Sequence, residues 1–162
     1  MVRRTRKVSK QRGGHFNSLK FPGNLKVSLG GAEASGQLLN KSKTIEEPFV
    51  YWQQPAQDSY RTLLCVDPDA TAPSWLHWLV TNCTGTEPNS GSEIVKWEPP
   101  APAKGTHTYY FCLFSHAYRV EVDVPKQRGY FGLEEFVQKN GLEPVSVATI
   151  RVSSTKASVV KN

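Results

Sequence analysis

Short apolar runs alternate with turn-forming residues along most of the chain. The runs at 25–29, 49–52, 60–66, 76–82, 107–114, 118–122 and 145–152 have the length and composition of β-strands. Between them stand Gly30-Gly31, Pro55, Pro68, Pro73 and the stretches 84–91 and 99–105, where glycine and proline favour turns over regular structure. Helical periodicity is convincing at one place. Leu133, Phe136 and Val137 are spaced i, i+3, i+4, Gly141 suits a left-handed helix end, and Pro144 blocks continuation. Many short strands with a single late helix predict a mainly β fold, an antiparallel sandwich or mixed β arrangement. No internal repeat is visible.

The strand at 107–114 separates its side chains onto two faces. His107, Tyr109, Phe111 and Leu113 share one, and Thr108, Tyr110, Cys112 and Phe114 the other. Both faces are apolar beyond the first residues, which predicts a central strand with a His and a Tyr at its entering end. Asp67-Pro68-Asp69 leaves another apolar strand, and His77-Trp78 lies inside a third. Strand ends often carry sites because a rigid sheet positions what the loop presents. Singly, each feature has a structural explanation: an Asp-Pro-Asp turn, a core histidine, a stiff Pro-rich edge loop at Glu98-Pro99-Pro100.

Hydrophobic residues make up 38% of the 162 and charged residues 21%, with 12 Gly and 11 Pro, the profile of one turn-rich globular domain. No apolar run approaches the ~18 residues of a membrane span, and the N-terminus lacks the apolar stretch of a secretory signal. A soluble protein of the cytoplasm or nucleus is expected. Cys65, Cys83 and Cys112 form no metal-ligand spacing, and Cys65 and Cys112 lie in apolar strand runs, so buried free thiols are expected.

Charge is concentrated in an arm. Residues 1–14 hold Arg3, Arg4, Arg6, Lys7, Lys10 and Arg12 and no acid, leaving 14 basic against 14 acidic residues in the rest. With almost no apolar content and a Gly13-Gly14 end, this segment cannot bury enough surface to order itself alone. Its chemistry suits a solubilising tail or a sorting signal, or else sequence-independent contact with nucleic-acid phosphates or with neighbouring subunits. It lacks apolar residues for membrane insertion, and Val2 excludes an N-myristoylation pattern. The expected organisation is an arm at 1–15, a domain at 16–153 and a short tail at 154–162.

Three segments taken in order carry a family resemblance. Leu64-Cys65-Val66-Asp67-Pro68-Asp69-Ala70, then Leu76-His77-Trp78-Leu79-Val80-Thr81-Asn82, then Pro100-Ala101-Pro102-Ala103-Lys104-Gly105-Thr106-His107 closely resemble the phosphatidylethanolamine-binding proteins. That family includes the raf kinase inhibitor proteins and the plant flowering-locus regulators. The likeness extends over roughly 24–152, taking in Gly30-Gly31, Phe136-Val137 and Gly141-Leu142-Glu143-Pro144-Val145. It implies a β-sandwich with one helix near the C-terminus and a small pocket for phosphate or a phosphoethanolamine head group. The pocket residues it implies are Asp67, Asp69, His77, Pro102, His107 and Tyr109. A carboxylate beside an imidazole favours its protonated, anion-binding form, and an aspartate could receive an ammonium group. Three departures stand out. Asp69-Ala70 is followed by Thr71-Ala72-Pro73 where the family has proline directly, the stretch before His77 is shortened to Trp75, and Thr108 replaces the family's arginine between His107 and Tyr109.

No Gly-x-Ser-x-Gly, phosphate-cradling glycine loop or Cys–His nucleophile pair is present, so the chain is read as a non-enzyme with no cofactor and no metal. Two functions remain. One is a regulatory or scaffold protein whose pocket takes a phosphate, a phospholipid head group or a related anion and whose surface meets a protein partner. The other is a structural subunit of a large assembly, a ribosome-like particle or virion, with a vestigial pocket and the arm threading among neighbours.

Overall fold

A computed structural model of the chain describes residues 18–155; the expectations for the arm fall outside the described residues. In chain order the strands are β1 (Gly23–Asn24), β2 (Lys26–Leu29), β3 (Ala32–Glu33), β4 (Leu38–Leu39), β5 (Phe49–Tyr51), β6 (Tyr60–Asp67), β7 (Trp75–Cys83), β8 (Ser92–Val95) and β9 (Thr106–His116), then α1 (Leu133–Lys139) and β10 (Glu143–Ser153). The larger sheet runs β1-β10-β9-β6-β7-β8 with β4 also on β10, and a small sheet runs β3-β2-β5. The main ladders are antiparallel, as expected. The two-residue strands β1 and β4 depart from that expectation by pairing parallel with β10. Neither is joined to β10 by a tight turn, so no hairpin imposes the antiparallel direction.

Three layers result. Between the sheets lies a core that includes Leu25, Val27, Val50, Leu63, Cys65, Trp78, Tyr109, Phe111, Leu113 and Ile150. On the other face of the large sheet a second core gathers Leu64, Val66, Leu76, Leu79, Cys112 and Phe114 beneath Leu133 and Val137 of α1. The period-2 alternation along β6 and β9 therefore feeds both cores, which is why these central strands read as nearly continuous apolar runs. Tyr109, Phe111 and Leu113 face one core and Cys112 and Phe114 the other, matching the faces read from the sequence. Cys65, Cys83 and Cys112 are free and buried.

The helix sits where its spacing placed it. Leu133 and Val137 are buried, Glu134 and Glu135 occupy the first turn and Lys139 the last, each charge complementing the helix dipole. Gly141 takes φ +61°, and the Leu142 N–H donates to the Val137 carbonyl at 3.0 Å, closing the end before Pro144.

One expected strand is absent. Residues 118–122 form no ladder, although Val120 and Val122 pack against the second core. The Asn82 side chain does the work of a neighbouring strand. Its amide donates to the Val120 carbonyl at 2.9 Å, and its oxygen accepts from the Val120 N–H at 2.9 Å. Apolar alternation thus reported burial of one face, while the backbone bonds were met by a side chain.

Candidate functional site

A cavity of about 470 Å³ opens where β6 ends and β9 begins. Asp67, Asp69, His77, Pro102, His107 and Tyr109 all line it, so every pocket residue implied by the resemblance is brought to one place. Trp75, Glu98 and Lys104 join them.

The pairing of β6 with β7 explains how two consecutive residues, His77 and Trp78, reach the same side of the sheet. Cys65 pairs with Trp78, but Val66 pairs with Leu76, leaving His77 as an extra residue in a bulge. A bulge restarts the alternation and re-aims the side chain at that point. Trp78 fills the inter-sheet core, while His77 packs edge-on against Tyr109 with ring centroids 5.0 Å apart.

Asp67 is the hub. It is 2% exposed, and its Oδ2 accepts from His107 Nδ1 at 2.7 Å. Its Oδ1 accepts from the Asp69 N–H at 2.8 Å, and the Tyr109 hydroxyl donates to the same carboxylate. Burial first, then the Asp67 charge, pushes the Tyr109 hydroxyl far above the ordinary phenol range, so it stays a donor. His107 thus donates its Nδ1–H to Asp67 and has Nε2 as its other polar atom.

His77 has a different anchor. Its Nδ1 meets the Glu98 carbonyl at 2.6 Å, and since a carbonyl can only accept, Nδ1 carries the proton. Burial holds the His77 pKa below its ordinary value, against the opposing pull of the Glu98 carbonyl and the Asp67 charge. At neutral pH the ring is uncharged, with Nε2 a lone-pair acceptor that turns donor on protonation.

The three sequence departures have structural counterparts. Asp69, exposed at the rim, accepts the Thr108 backbone N–H on Oδ2 at 2.9 Å, so a main-chain donor serves it at the position where the family carries arginine. Thr71 and Trp75 of the altered segment form part of the wall, and Trp75 Nε1 donates to Glu98 Oε2 at 2.6 Å. Arg128 completes that corner. It donates to the carbonyls of Leu76, His77 and Lys96 at 3.0, 3.1 and 2.8 Å and pairs with Glu98 at 3.5 Å.

Sequence reasoning missed Glu98 and Arg128. Glu98 precedes the Pro99-Pro100 loop and was legible only as a stiff edge. Arg128 lies in a polar stretch with no periodicity, and no local signal points to it. Among the described residues no group of three or more His, Cys, Asp or Glu side chains is placed to hold a metal ion. Burial holds the thiol of Cys65, two residues before Asp67 in the chain, firmly protonated.

Comparison with known proteins decides the family. The model of the family described as "Phosphatidylethanolamine-binding protein" matches residues 23–151. The chain belongs to that family. Among curated members of the phosphatidylethanolamine-binding protein family, it is 35% identical over 122 residues to TWIN SISTER of FT and 36% identical over 122 residues to FLOWERING LOCUS T, both of Arabidopsis thaliana, covering 70% of this chain and of each relative. Solved structures show the same fold. A carboxypeptidase Y inhibitor, complexed with its cognate proteinase, superposes with TM-score 0.73 at 19% identity, covering 85% of this chain and 86% of the other. A phosphatidylethanolamine-binding protein from Plasmodium vivax does so with TM-score 0.65 at 16% identity, covering 83% and 88%. The alternative of a ribosome-like or virion subunit draws no support from these relatives. No helix among the described residues is long and apolar enough to cross a membrane.

Proposed function

We propose that this member of the phosphatidylethanolamine-binding protein family is an intracellular regulatory or scaffold protein, not an enzyme, whose cavity takes a phosphoethanolamine-type group. The observation that carries the reading is the convergence of Asp67, Asp69, His77, Pro102, His107 and Tyr109 on one small cavity. Regulation by binding is supported by the company the chain keeps, since one fold relative is an inhibitor seen with its proteinase and the plant relatives are named for flowering.

The charges in the wall narrow the ligand. Asp67, Asp69 and Glu98 outnumber Lys104, so a bare dianion meets net repulsion while His77 is neutral. A zwitterion resolves the conflict. Its ammonium faces the exposed Asp69, and its phosphoryl group recruits His77 Nε2 by drawing a proton onto the ring. Binding is therefore coupled to proton uptake, and phosphoethanolamine is held more tightly than inorganic phosphate. The stiff Pro99–Pro102 wall limits reorganisation on binding.

Calorimetric titration of the protein with phosphoethanolamine and with inorganic phosphate tests this, wild type against His77→Ala, each checked for fold by circular dichroism. Saturable heat with phosphoethanolamine, lost in the folded variant, is expected. No heat at millimolar ligand from folded wild-type protein would remove the reading.

A further inference from the structure

The inter-sheet layer has a second opening at its opposite end. Arg61, the second residue of strand β6, lines it, and Asp67, the last residue of that strand, lines the first cavity. Six residues of extended chain at ~3.3 Å each put the two about 20 Å apart. Strand β9 is shared in the same way, with Tyr109 in one wall and Leu113 in the other.

This second cavity encloses about 490 Å³, and its electrostatics are the reverse of the first. Arg61 and Lys26 line it, and no Asp or Glu does. Arg61 is half-buried and makes no ion pair among the described residues. Among the described residues its guanidinium makes one hydrogen bond, from Nη1 to the neighbouring Tyr60 carbonyl at 3.2 Å, although it carries five N–H donors in a planar fork. Burial pushes its pKa down, and no acid offsets that effect. The stretches outside the described residues, 1–17 and 156–162, contain no Asp or Glu side chain that could supply a counter-charge. The rest of the wall offers side-chain amides at Asn24, Gln53 and Gln54. Its floor is apolar, with Leu25 and Leu113 from the inter-sheet core and Val145 packed against them.

We propose that this cavity is a second binding site, specific for a small amphipathic anion: a phosphate monoester or carboxylate on a short apolar body. The anionic head pairs with the Arg61 fork and Lys26, since planar bidentate recognition of phosphate and carboxylate is what a guanidinium does best. The amides complete the head's hydrogen bonds, and the body lies over Leu25, Leu113 and Val145. A cavity of this size falls within the ~300–1,000 Å³ of small-molecule sites. Because the first cavity is rich in carboxylates and this one has none, the two select different ligands and fill independently.

Amide NMR titrations of the whole chain with hexyl phosphate, hexanoate and inorganic phosphate provide the test. At least one alkyl anion is expected to move the signals of Asn24, Gln53 and Gln54 saturably and equally in wild type and His77→Ala. Inorganic phosphate, lacking the apolar body, should bind at least several-fold more weakly than hexyl phosphate. Response to hexyl phosphate alone assigns the site to phosphate monoesters, and response to hexanoate alone assigns it to carboxylates. Arg61→Gln should weaken binding tenfold or more. If that variant does not fold, Lys26→Glu, at an exposed position, decides the matter with an expected loss of about tenfold. Absence of a saturable response at these amides with either alkyl anion, or unchanged affinity in a folded charge variant, would overturn the proposal.

Discussion

Replacing Asp67 with alanine tests the hub directly. The carboxylate accepts from His107 Nδ1 at 2.7 Å, from the Asp69 N–H at 2.8 Å and from the Tyr109 hydroxyl. Truncation strands these donors unequally. Tyr109 is 1% exposed, so its hydroxyl bears most of the penalty of an unmet buried group, ~2 kcal/mol. The His107 side chain is 16% exposed and recovers part of its loss through water, leaving ~1 kcal/mol. The Asp69 N–H sits in a rim turn and contributes a few tenths of a kcal/mol. The expected destabilisation is about 3 kcal/mol, a large fraction of the ~5–15 kcal/mol that holds a domain folded, and corresponds to a fall in Tm of about 10 °C. Asp67→Asn separates charge from hydrogen bonding. The amide keeps one acceptor oxygen and offers an N–H to a His107 ring of the other tautomer, so its cost should be about half as large. Thermal and urea unfolding followed by tryptophan fluorescence, with four Trp in the chain, measures both. An Asp67→Ala protein within 0.5 kcal/mol of wild type (the ordinary scatter of inconsequential substitutions) would refute the claim that this carboxylate organises the cavity wall.

Stability should fall as pH drops below the unfolded-state histidine value of ~6.5, because His77 and His116 are both held below it, chiefly by burial. The unfolded chain then binds protons first, so stability present above pH 6.5 is lost as pH falls through the folded values, at no more than about 1.4 kcal/mol per pH unit for each ring. Urea melts from pH 8 to 5 should show a shallower decline in His116→Gln than in wild type; identical slopes would contradict the assignment. Arg128→Met removes the donors that tie the carbonyls of Leu76, His77 and Lys96 together. It is expected to cost about 2 kcal/mol in denaturant melts and to weaken phosphoethanolamine by calorimetry, although Arg128 does not line the cavity; unchanged affinity would deny it a positioning role. At Gly91 an added Cβ would lie 2.5 Å from the Thr81 carbonyl oxygen and 2.6 Å from Cys83 Sγ. Gly91→Ala should therefore destabilise by about 1–3 kcal/mol, and an unaltered Tm would show that the β7–β8 corner yields more freely than its packing indicates.

Much of the molecule was legible because its strongest signals are local. Alternation along 107–114 assigned both faces of β9 correctly, since a central strand must bury both rows of side chains. The helix was fixed by three apolar positions, a glycine and a proline. The motifs around Asp67, His77 and His107 pointed to residues that do line one cavity, because each lies at a strand end or in a bulge whose position the surrounding apolar runs define. Where the reading failed, the deciding interaction was remote. Residues 118–122 alternate like a strand, yet Asn82, far back in the chain, takes the backbone bonds a ladder would have made. Strands β1 and β4 are two residues each, too short for periodicity to register, and exist because β10 offers them an edge.

Fold class, family and the residues of the first cavity could all be read along the chain, since hydrophobic period, turn chemistry and short motifs are written in neighbouring residues. Tertiary structure alone decided the rest. It placed Arg128 under the carbonyls of β7, set Asp69 against the Thr108 backbone, made His77 an uncharged ring by burial, and left Arg61 without an acid at the far end of β6. Each of these depends on which distant segments a side chain meets and how much water remains beside it, and folding fixes those distances without encoding them in any local pattern.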